Sequence, residues 1–77
     1  MYEKSTIMHY KDLIKALKNR REELGVTQDY LAELAGVGLR TLKEIESGKG
    51  NPTFETLNKL AEVLGMELKL EVKKPRL

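Results

Sequence analysis

Apolar residues recur at helical spacing from Tyr10 onward. The spacing i, i+3, i+4, i+7 marks one face of an α-helix, and it is followed by Tyr10, Leu13, Ile14, Leu17 and Leu24. Gly25 then stands where helices commonly end, because glycine readily adopts the left-handed conformation that closes a helix. We therefore predict a first helix that starts at Tyr10 and is stopped by Gly25.

A second and a third helix are predicted by a capping residue and a glycine. Thr27 is a good N-cap for a helix over residues 28–35, because its hydroxyl accepts a hydrogen bond from a free backbone N–H. Gly36 ends that helix, and only two residues follow before the next amphipathic stretch. The third helix is expected over about residues 39–47.

A loop and a fourth helix complete the helical part. The turn-forming residues of 47–52 predict a loop, and Thr53 is placed to cap a helix over residues 54–64. Gly65 closes this helix. The pattern as a whole predicts an all-α domain over residues 10–65.

The hydrophobic period changes after Gly65. Apolar residues now alternate with charged ones at Met66, Leu68, Leu70 and Val72. Period two is typical of a half-buried β-strand, which we predict over residues 66–73. A lone strand leaves an open edge, so we expect these four residues to form a dimerisation strand with a two-fold related copy. Pairing within the chain, with residues 2–8, is the alternative.

Charge is distributed unevenly along the 77 residues, whose formal net charge is +2. Residues 27–47 contain two Lys or Arg against four Asp or Glu, whereas each flanking part contains six against four. This is not a strong nucleic-acid signature by composition alone. Of the two ends, residues 1–9 are expected to be flexible and residues 74–77 to form a basic tail.

Composition excludes several classes of function. The chain has no cysteine, so it can form neither a disulfide nor a thiolate metal site. Its one histidine, His9, cannot build a histidine metal cluster or a Ser-His-acid triad. We therefore predict no enzyme, no metal and no cofactor. The sequence shows neither a membrane-crossing run nor a secretory leader, which favours a cytoplasmic protein.

The second and third predicted helices satisfy the internal requirements of a helix-turn-helix. Ala32 is small where the following helix must cross closely, and Gly36 permits positive φ in the turn. The angle between the helices requires apolar residues at Val37, Leu42 and Ile45. These conditions are met together, which is much stronger evidence than an Ala-x-x-x-Gly spacing alone.

The chain resembles the phage-repressor (Cro/XRE) family of helix-turn-helix proteins from about Leu13 to Leu64. The similarity is carried by the segments LGVTQDYLAELAGVG and ESGKGNPTFETLNKLAEVLG. Within that family it looks most like the HipB-type antitoxins, which add a C-terminal strand where this chain has MELKLEVKK. The resemblance implies a lambda-repressor-like bundle of four to five helices with a C-terminal β-strand for dimerisation.

The resemblance implies that the third helix enters the major groove of DNA. With the apolar side of this helix inward, the outward side carries Leu39, Arg40, Lys43 and Glu44. Arg40 suits guanine through two hydrogen bonds, and Leu39 suits a thymine methyl group. Glu44 either accepts from a cytosine amino group or pairs with Arg40 four residues before it. A solvated helix face is the alternative for Arg40 and Lys43.

Phosphate contacts are expected from residues that flank this surface. Family members use the residue at the Gln28 position against a phosphate and sometimes against a neighbouring base or side chain, while simple capping of the second helix is the alternative. Thr41 and Lys49 are further candidates. Gly38 occupies a position where the family usually has Ser or Thr, so it can still cap the third helix but lacks one hydroxyl contact.

Two charged residues occupy positions that should be buried. Arg21 falls within the apolar stripe of the first helix, and Glu46 lies beside Leu42 on the inner side of the third. The simplest resolution is a structural ion pair between Arg21 and Glu46, as in the resembled family at these positions. Glu46 is then expected to face away from DNA.

These features predict a sequence-specific repressor that binds double-stranded DNA, at a palindromic operator, as a homodimer. The HipB-type resemblance implies an antitoxin that represses its own operon and binds a HipA-like kinase toxin. A protein-interaction adaptor or coactivator that uses the same fold without reading bases is the competing hypothesis, and the acidic middle segment favours it.

Overall fold

Four α-helices make up the folded part of the protein. The computed structural model describes residues 9–77, and its helices are α1 (Tyr10–Glu23), α2 (Gln28–Ala35), α3 (Leu39–Glu46) and α4 (Phe54–Val63). The predicted all-α fold is confirmed, and no fifth helix occurs within residues 9–77. The expected flexibility of residues 1–8, and any pairing made by residues 2–8, lie outside the described residues.

Threonine hydroxyls start two of the helices. At α2 the Tyr30 backbone N–H donates to Thr27 Oγ1 over 3.1 Å, and at α4 the Thr56 N–H donates to Thr53 Oγ1 over the same distance. Each contact satisfies one of the backbone donors that a helix start leaves unpaired. The predicted caps are therefore the observed ones, and they determine where α2 and α4 begin.

The core is a single apolar cluster to which all four helices contribute. Its buried members are Ile14, Leu17, Leu31, Ala32, Leu42, Ile45, Leu57, Leu60, Ala61 and Leu64. Of the helix pairs, α2 packs against both α3 and α4, while α1 packs against α3. This packing holds α3 against α1 and α2 and leaves its opposite side exposed.

The predicted β-strand over residues 66–73 is wrong for the single chain, because residues 9–77 contain no strand. The start of this segment instead belongs to the helical core. The Met66 N–H donates to the Ala61 carbonyl over 2.8 Å, and Met66 and Leu68 pack against the core cluster. Leu70 and Val72 are fully exposed. A strand requires a hydrogen-bonded neighbour, and no described segment provides one.

Candidate nucleic-acid interface

The turn between α2 and α3 depends on one left-handed glycine. Gly36 has a φ of 70°, and its N–H donates to the Glu33 carbonyl over 3.2 Å. The Val37 N–H then donates to the Ala32 carbonyl over 2.9 Å, which closes the end of α2. Gly38 follows in extended backbone, with φ of −61°, and is the N-cap of α3. Because the link is this short, α2 and α3 are held at one angle.

The orientation of α3 is set by its apolar residues. Leu42 and Ile45 are 1% and 2% exposed and lie in the core. Leu39 is half-buried and also packs against the core, so the sequence-based assignment of Leu39 to the fully outward side is corrected. It occupies the boundary between core and surface, because Leu42 one turn later faces directly inward.

The other residues of α3 that were predicted to contact DNA lie on its exposed side. Arg40, Thr41, Lys43 and Glu44 are all exposed. Arg40 Nε lies 3.8 Å from Glu44 Oε2, and the Arg40 side chain is 94% exposed. An exposed i,i+4 pair of this kind contributes at most about 0.5 kcal/mol, so the Arg40 guanidinium can leave Glu44 for another acceptor at little cost.

The segment after α3 forms one wall of a shallow groove beside the helix. The groove has a volume of about 200 Å³, and Thr41, Glu44, Lys49 and Asn51 are among its lining residues. The Lys49 N–H donates to the Glu44 carbonyl over 2.9 Å, which ties this segment to the end of α3. The structure thus places two of the predicted phosphate contacts, Thr41 and Lys49, in one groove. Asn51, which the sequence did not single out, lines the same groove.

Arg21 and Glu46 form a two-point ion pair beneath this surface. Arg21 Nε donates to Glu46 Oε2 over 2.7 Å, and Arg21 Nη2 donates to Glu46 Oε1 over 3.0 Å. Their side chains are 11% and 5% exposed. A third guanidinium nitrogen, Nη1, donates to the Val26 carbonyl over 2.7 Å. The pair therefore joins α1, the link before α2, and the end of α3.

The pKa of the Arg21 guanidinium is raised above its usual value. The hydrogen bond to Glu46 is the largest cause; burial acts in the opposite direction, and the charges of Glu46 and Glu22 raise the pKa further. Arginine is charged at every physiological pH in any case. The raised pKa therefore reports how strongly this environment favours the cation, and it predicts no pH switch.

Gln28 is part of the same network. Its Nε2 donates to Glu46 Oε1 over 2.8 Å, and the side chain is half-buried at the first position of α2. Sequence reasoning missed this contact because the two residues are separated by 18 positions. No sequence signal identified Glu46 as the partner, because the contact depends on how α2 and α3 cross. In the folded structure Gln28 lies two residues after Val26, whose carbonyl accepts from the same Arg21 guanidinium.

Metal clusters and membrane-spanning helices are both absent from the described residues. Among residues 9–77, no group of three or more His, Cys, Asp or Glu side chains is arranged to hold a metal ion. None of the four described helices combines the length and apolar character needed to span a membrane.

Comparison with known proteins identifies the fold family. Residues 17–70 match the family model described as helix-turn-helix, which covers more than half of the chain. The chain belongs to the helix-turn-helix family of transcriptional regulators. The segment that matches contains α2, α3 and α4 complete, including the glycine turn and the exposed side of α3.

Three curated relatives of this helix-turn-helix protein span a wide range of organisms. An uncharacterized helix-turn-helix regulator of Haemophilus influenzae is 43% identical over 58 residues, which cover 75% of this chain and 59% of that protein. The cryptic phage CTXphi transcriptional repressor RstR of Vibrio cholerae is 38% identical, with 68% and 46% covered. Multiprotein-bridging factor 1b of Arabidopsis thaliana is 38% identical, with 75% and 41% covered. The chain thus spans about half the length of these relatives.

Proposed function

We propose that this protein is a sequence-specific repressor that reads DNA with the exposed side of α3. The observation that carries the proposal is the division of α3 into two sides. Leu42 and Ile45 anchor the helix in the core, while Arg40, Lys43 and Glu44 are exposed on a helix whose start directly follows the tight turn. A helix held in this way can enter the major groove as a rigid body. The similarity to a phage repressor supports the same activity.

Within this proposal, the exposed residues divide into base readers and phosphate binders. Arg40 offers two parallel donors to guanine, and Glu44 accepts from a cytosine amino group. Leu39, half-buried at the edge of the core, presents what remains exposed of its side chain to a thymine methyl group. Phosphates are bound by Gln28, Thr41, Lys43 and Lys49 and by the backbone N–H groups that follow Gly38.

A salt titration tests whether the protein reads sequence. Affinity is measured for its own promoter region and for a random duplex of equal length, between 50 and 200 mM salt, conditions over which phosphate contacts weaken strongly. We expect both affinities to fall with salt while the ratio between them stays well above one. Equal affinity for both duplexes at every salt concentration would reject sequence-specific binding.

We further propose that residues 66–73 pair with a second copy of the chain. Antiparallel pairing centred on Leu70 places Leu68 opposite the partner's Val72 and keeps the apolar residues on one face. The same register sets Glu67 opposite the partner's Lys73 and Lys69 opposite the partner's Glu71. A shift of the centre by one residue sets like charges against each other, which is destabilising. A two-fold register centred on Leu68 or Val72 also avoids like charges but makes only two opposite-charge pairs, whereas the register centred on Leu70 makes four. Charge therefore favours the register centred on Leu70 and an isologous dimer.

The contacts of this segment support the proposal that its first residues stabilise the fold and its later residues form the interface. Met66 and Leu68 pack on the chain's own core, whereas Leu70 and Val72 are completely exposed. Beside them is an apolar groove of about 430 Å³, which Leu13, Phe54, Leu57 and Leu68 help to line. Phe54 is itself 66% exposed. A second copy paired through Leu70 would cover these residues.

Charge reversal at Lys69 tests the register. In sedimentation at tens of micromolar, we expect the wild-type chain to be a dimer. Lys69→Glu should dissociate it, because two glutamates then oppose each other twice across the two-fold axis. The double variant Lys69→Glu/Glu71→Lys should restore the dimer. A Lys69→Glu variant as dimeric as the wild type would reject the register.

Truncation tests the interface without altering charge. A chain that ends at Leu68 keeps the residues packed on the core and loses Leu70 and Val72. We expect it to stay helical by circular dichroism and to be a monomer. If it remains dimeric, the dimer forms through another surface. Cutting after Gly65 is a poorer test, because it also removes Met66 and Leu68 from the core.

Within the repressor proposal, the more specific role is that of an antitoxin with a HipA-like kinase toxin as its protein partner. It is supported by the family resemblance and by the alternating segment that follows α4. The neighbouring gene provides the test: it should encode a kinase-like protein that co-purifies with this chain. A neighbour of another class, with no kinase bound, removes the antitoxin role and leaves the repressor intact.

A bridging adaptor is the second candidate function. It is favoured by the similarity to a protein named as a multiprotein-bridging factor and by the acidic balance of residues 27–47. An adaptor would bind both duplexes of the salt titration weakly and without preference. The same experiment therefore separates the two functions.

A further inference from the structure

The Glu46 carboxylate accepts three hydrogen bonds that come from two different parts of the fold. Two come from Arg21, at 2.7 and 3.0 Å, and the third comes from Gln28 Nε2, at 2.8 Å. Arg21 belongs to α1, whereas Gln28 is the first residue of α2 and one of the proposed phosphate contacts. Glu46 therefore connects the core to the edge of the DNA surface.

Chemistry fixes which way the Gln28 amide points. An ionised carboxylate can only accept hydrogen bonds, so the NH₂ group of Gln28, not its carbonyl oxygen, must face Glu46. One N–H of that group is then used, and the second N–H and the carbonyl oxygen are left for other partners. A phosphate also only accepts, so the second N–H is the atom of this side chain that can bind it.

We propose that Glu46 is a positioning residue for DNA binding, because it holds the Gln28 amide with its second N–H directed at a backbone phosphate. The inference rests on the proposed DNA-binding function. A free glutamine has several rotamers and either amide orientation, and most of these do not present an N–H to the phosphate. The bond to Glu46 selects one arrangement before DNA arrives, so less freedom is lost on binding.

Arg21 makes a carboxylate tolerable at this position. Glu46 would otherwise repel a nearby phosphate, but its charge is balanced by the guanidinium that grips both of its oxygens. The side chain is also 5% exposed. Glu46 therefore acts on DNA through Gln28 and without direct contact.

A double-mutant cycle on DNA affinity tests the proposal. The four proteins are the wild type, Gln28→Met, Glu46→Gln and the double variant, each measured as dissociation constants on the preferred duplex. Gln28→Met should weaken binding about 3- to 10-fold for each half-site, the range of one hydrogen bond. Glu46→Gln should also weaken binding, and the double variant should be no weaker than the worse single variant.

The sign of the Glu46→Gln effect is decisive, because removing a negative charge near DNA would by itself tighten binding. Glu33→Gln is the matched control. Glu33 is exposed on the same helix as Gln28, and this substitution removes one negative charge, as Glu46→Gln does. Glu33→Gln should not weaken binding, and its effect should simply add to that of Gln28→Met.

A measurement on the wild-type protein avoids dependence on a variant that fails to fold. In the free protein, NMR should show cross-peaks between the Gln28 side-chain amide protons and the Arg21 guanidinium, with exchange of the amide protons slowed by the bond to Glu46. An amide that averages over rotamers overturns the proposal.

The outcomes separate this inference from the proposed function. If the wild type shows no sequence preference, both are overturned. If it binds a preferred sequence but the effects of Gln28→Met and Glu46→Gln are additive, or Glu46→Gln tightens binding, only the positioning role is overturned. Coupled losses at these two residues, with no coupling to Glu33, support it.

Discussion

Replacing Glu46 with alanine is expected to destabilise the domain by about 3–5 kcal/mol, the cost of removing one partner from a buried ion pair. The variant leaves the Arg21 guanidinium, only 11% exposed, without its buried partner and with its hydrogen bonds to the carboxylate lost. The acid that remains nearby, Glu22, is 56% exposed and lies 4.0 Å from Arg21 Nη2. The variant also releases Gln28. Because domains of this size have only about 4–12 kcal/mol of stability, this loss is a large fraction of the total, and the melting temperature should fall by more than about 10 °C.

Thermal unfolding followed by circular dichroism measures this effect. Glu44→Ala is the matched control, since it removes the same side chain two residues earlier in α3, where Glu44 is 53% exposed and 3.8 Å from Arg40. That control should cost less than about 0.5 kcal/mol. A Glu46→Ala protein that melts within about 5 °C of the wild type would contradict the structural role.

A second large effect is expected on DNA recognition. Arg40→Ala should lose about 1–3 kcal/mol of discrimination at one base pair in each half-site, which is the value of a two-point arginine–guanine contact. The Arg40 side chain is 94% exposed and only weakly held by Glu44. The substitution should therefore leave the stability of the fold within about 0.5 kcal/mol of wild type, so the loss is one of recognition.

Dissociation constants on the preferred duplex and on its single-base-pair variants measure this discrimination. Arg40→Ala should bind all base-pair variants equally well at one position of each half-site. At the other positions of the duplex it should keep the wild-type preference. Lys49→Ala is the control for a phosphate contact: it should weaken binding to all duplexes about equally and lower the salt slope by about one for each subunit of the dimer. An Arg40→Ala protein that loses affinity equally on all duplexes would show that Arg40 reads no base.

The helices could be predicted from the sequence because their signals are local. Thr27 and Thr53 cap helices through hydroxyl bonds to backbone groups three residues away, and Gly36 closes α2 with a positive φ that few other residues adopt. Helical periodicity also identified the inward positions of α3, because Leu42 and Ile45 are three residues apart on one face. A charge pattern at odds with that periodicity was enough to single out Arg21 and Glu46.

Features that depend on three-dimensional contacts were predicted less well. The half-buried position of Leu39 depends on how far α3 is rotated about its axis, and a pattern of apolar residues defines that rotation only to within one position. The bond from Gln28 to Glu46 joins two helices and requires the crossing angle between them. Residues 66–73 carry a strand pattern whose hydrogen-bond partners do not lie within residues 9–77, so the single chain cannot realise it.

The two glutamates of α3 differ in role because they lie on different sides of the helix. Glu46, the last residue of α3, is paired with Arg21, whereas Glu44 is exposed beside Arg40. In our account the exposed side of α3 carries both signs of charge, which suits the selection of a sequence. General attraction to phosphate comes from residues outside the helix, such as Lys49.

Selection of duplexes from a random-sequence DNA pool tests the central claim most directly, since it requires no knowledge of the natural operator. The wild-type protein should enrich an inverted repeat whose half-site centres lie about 10 base pairs apart, one turn of DNA for a two-fold dimer. A pool that stays random after repeated rounds at physiological salt would contradict sequence reading by α3.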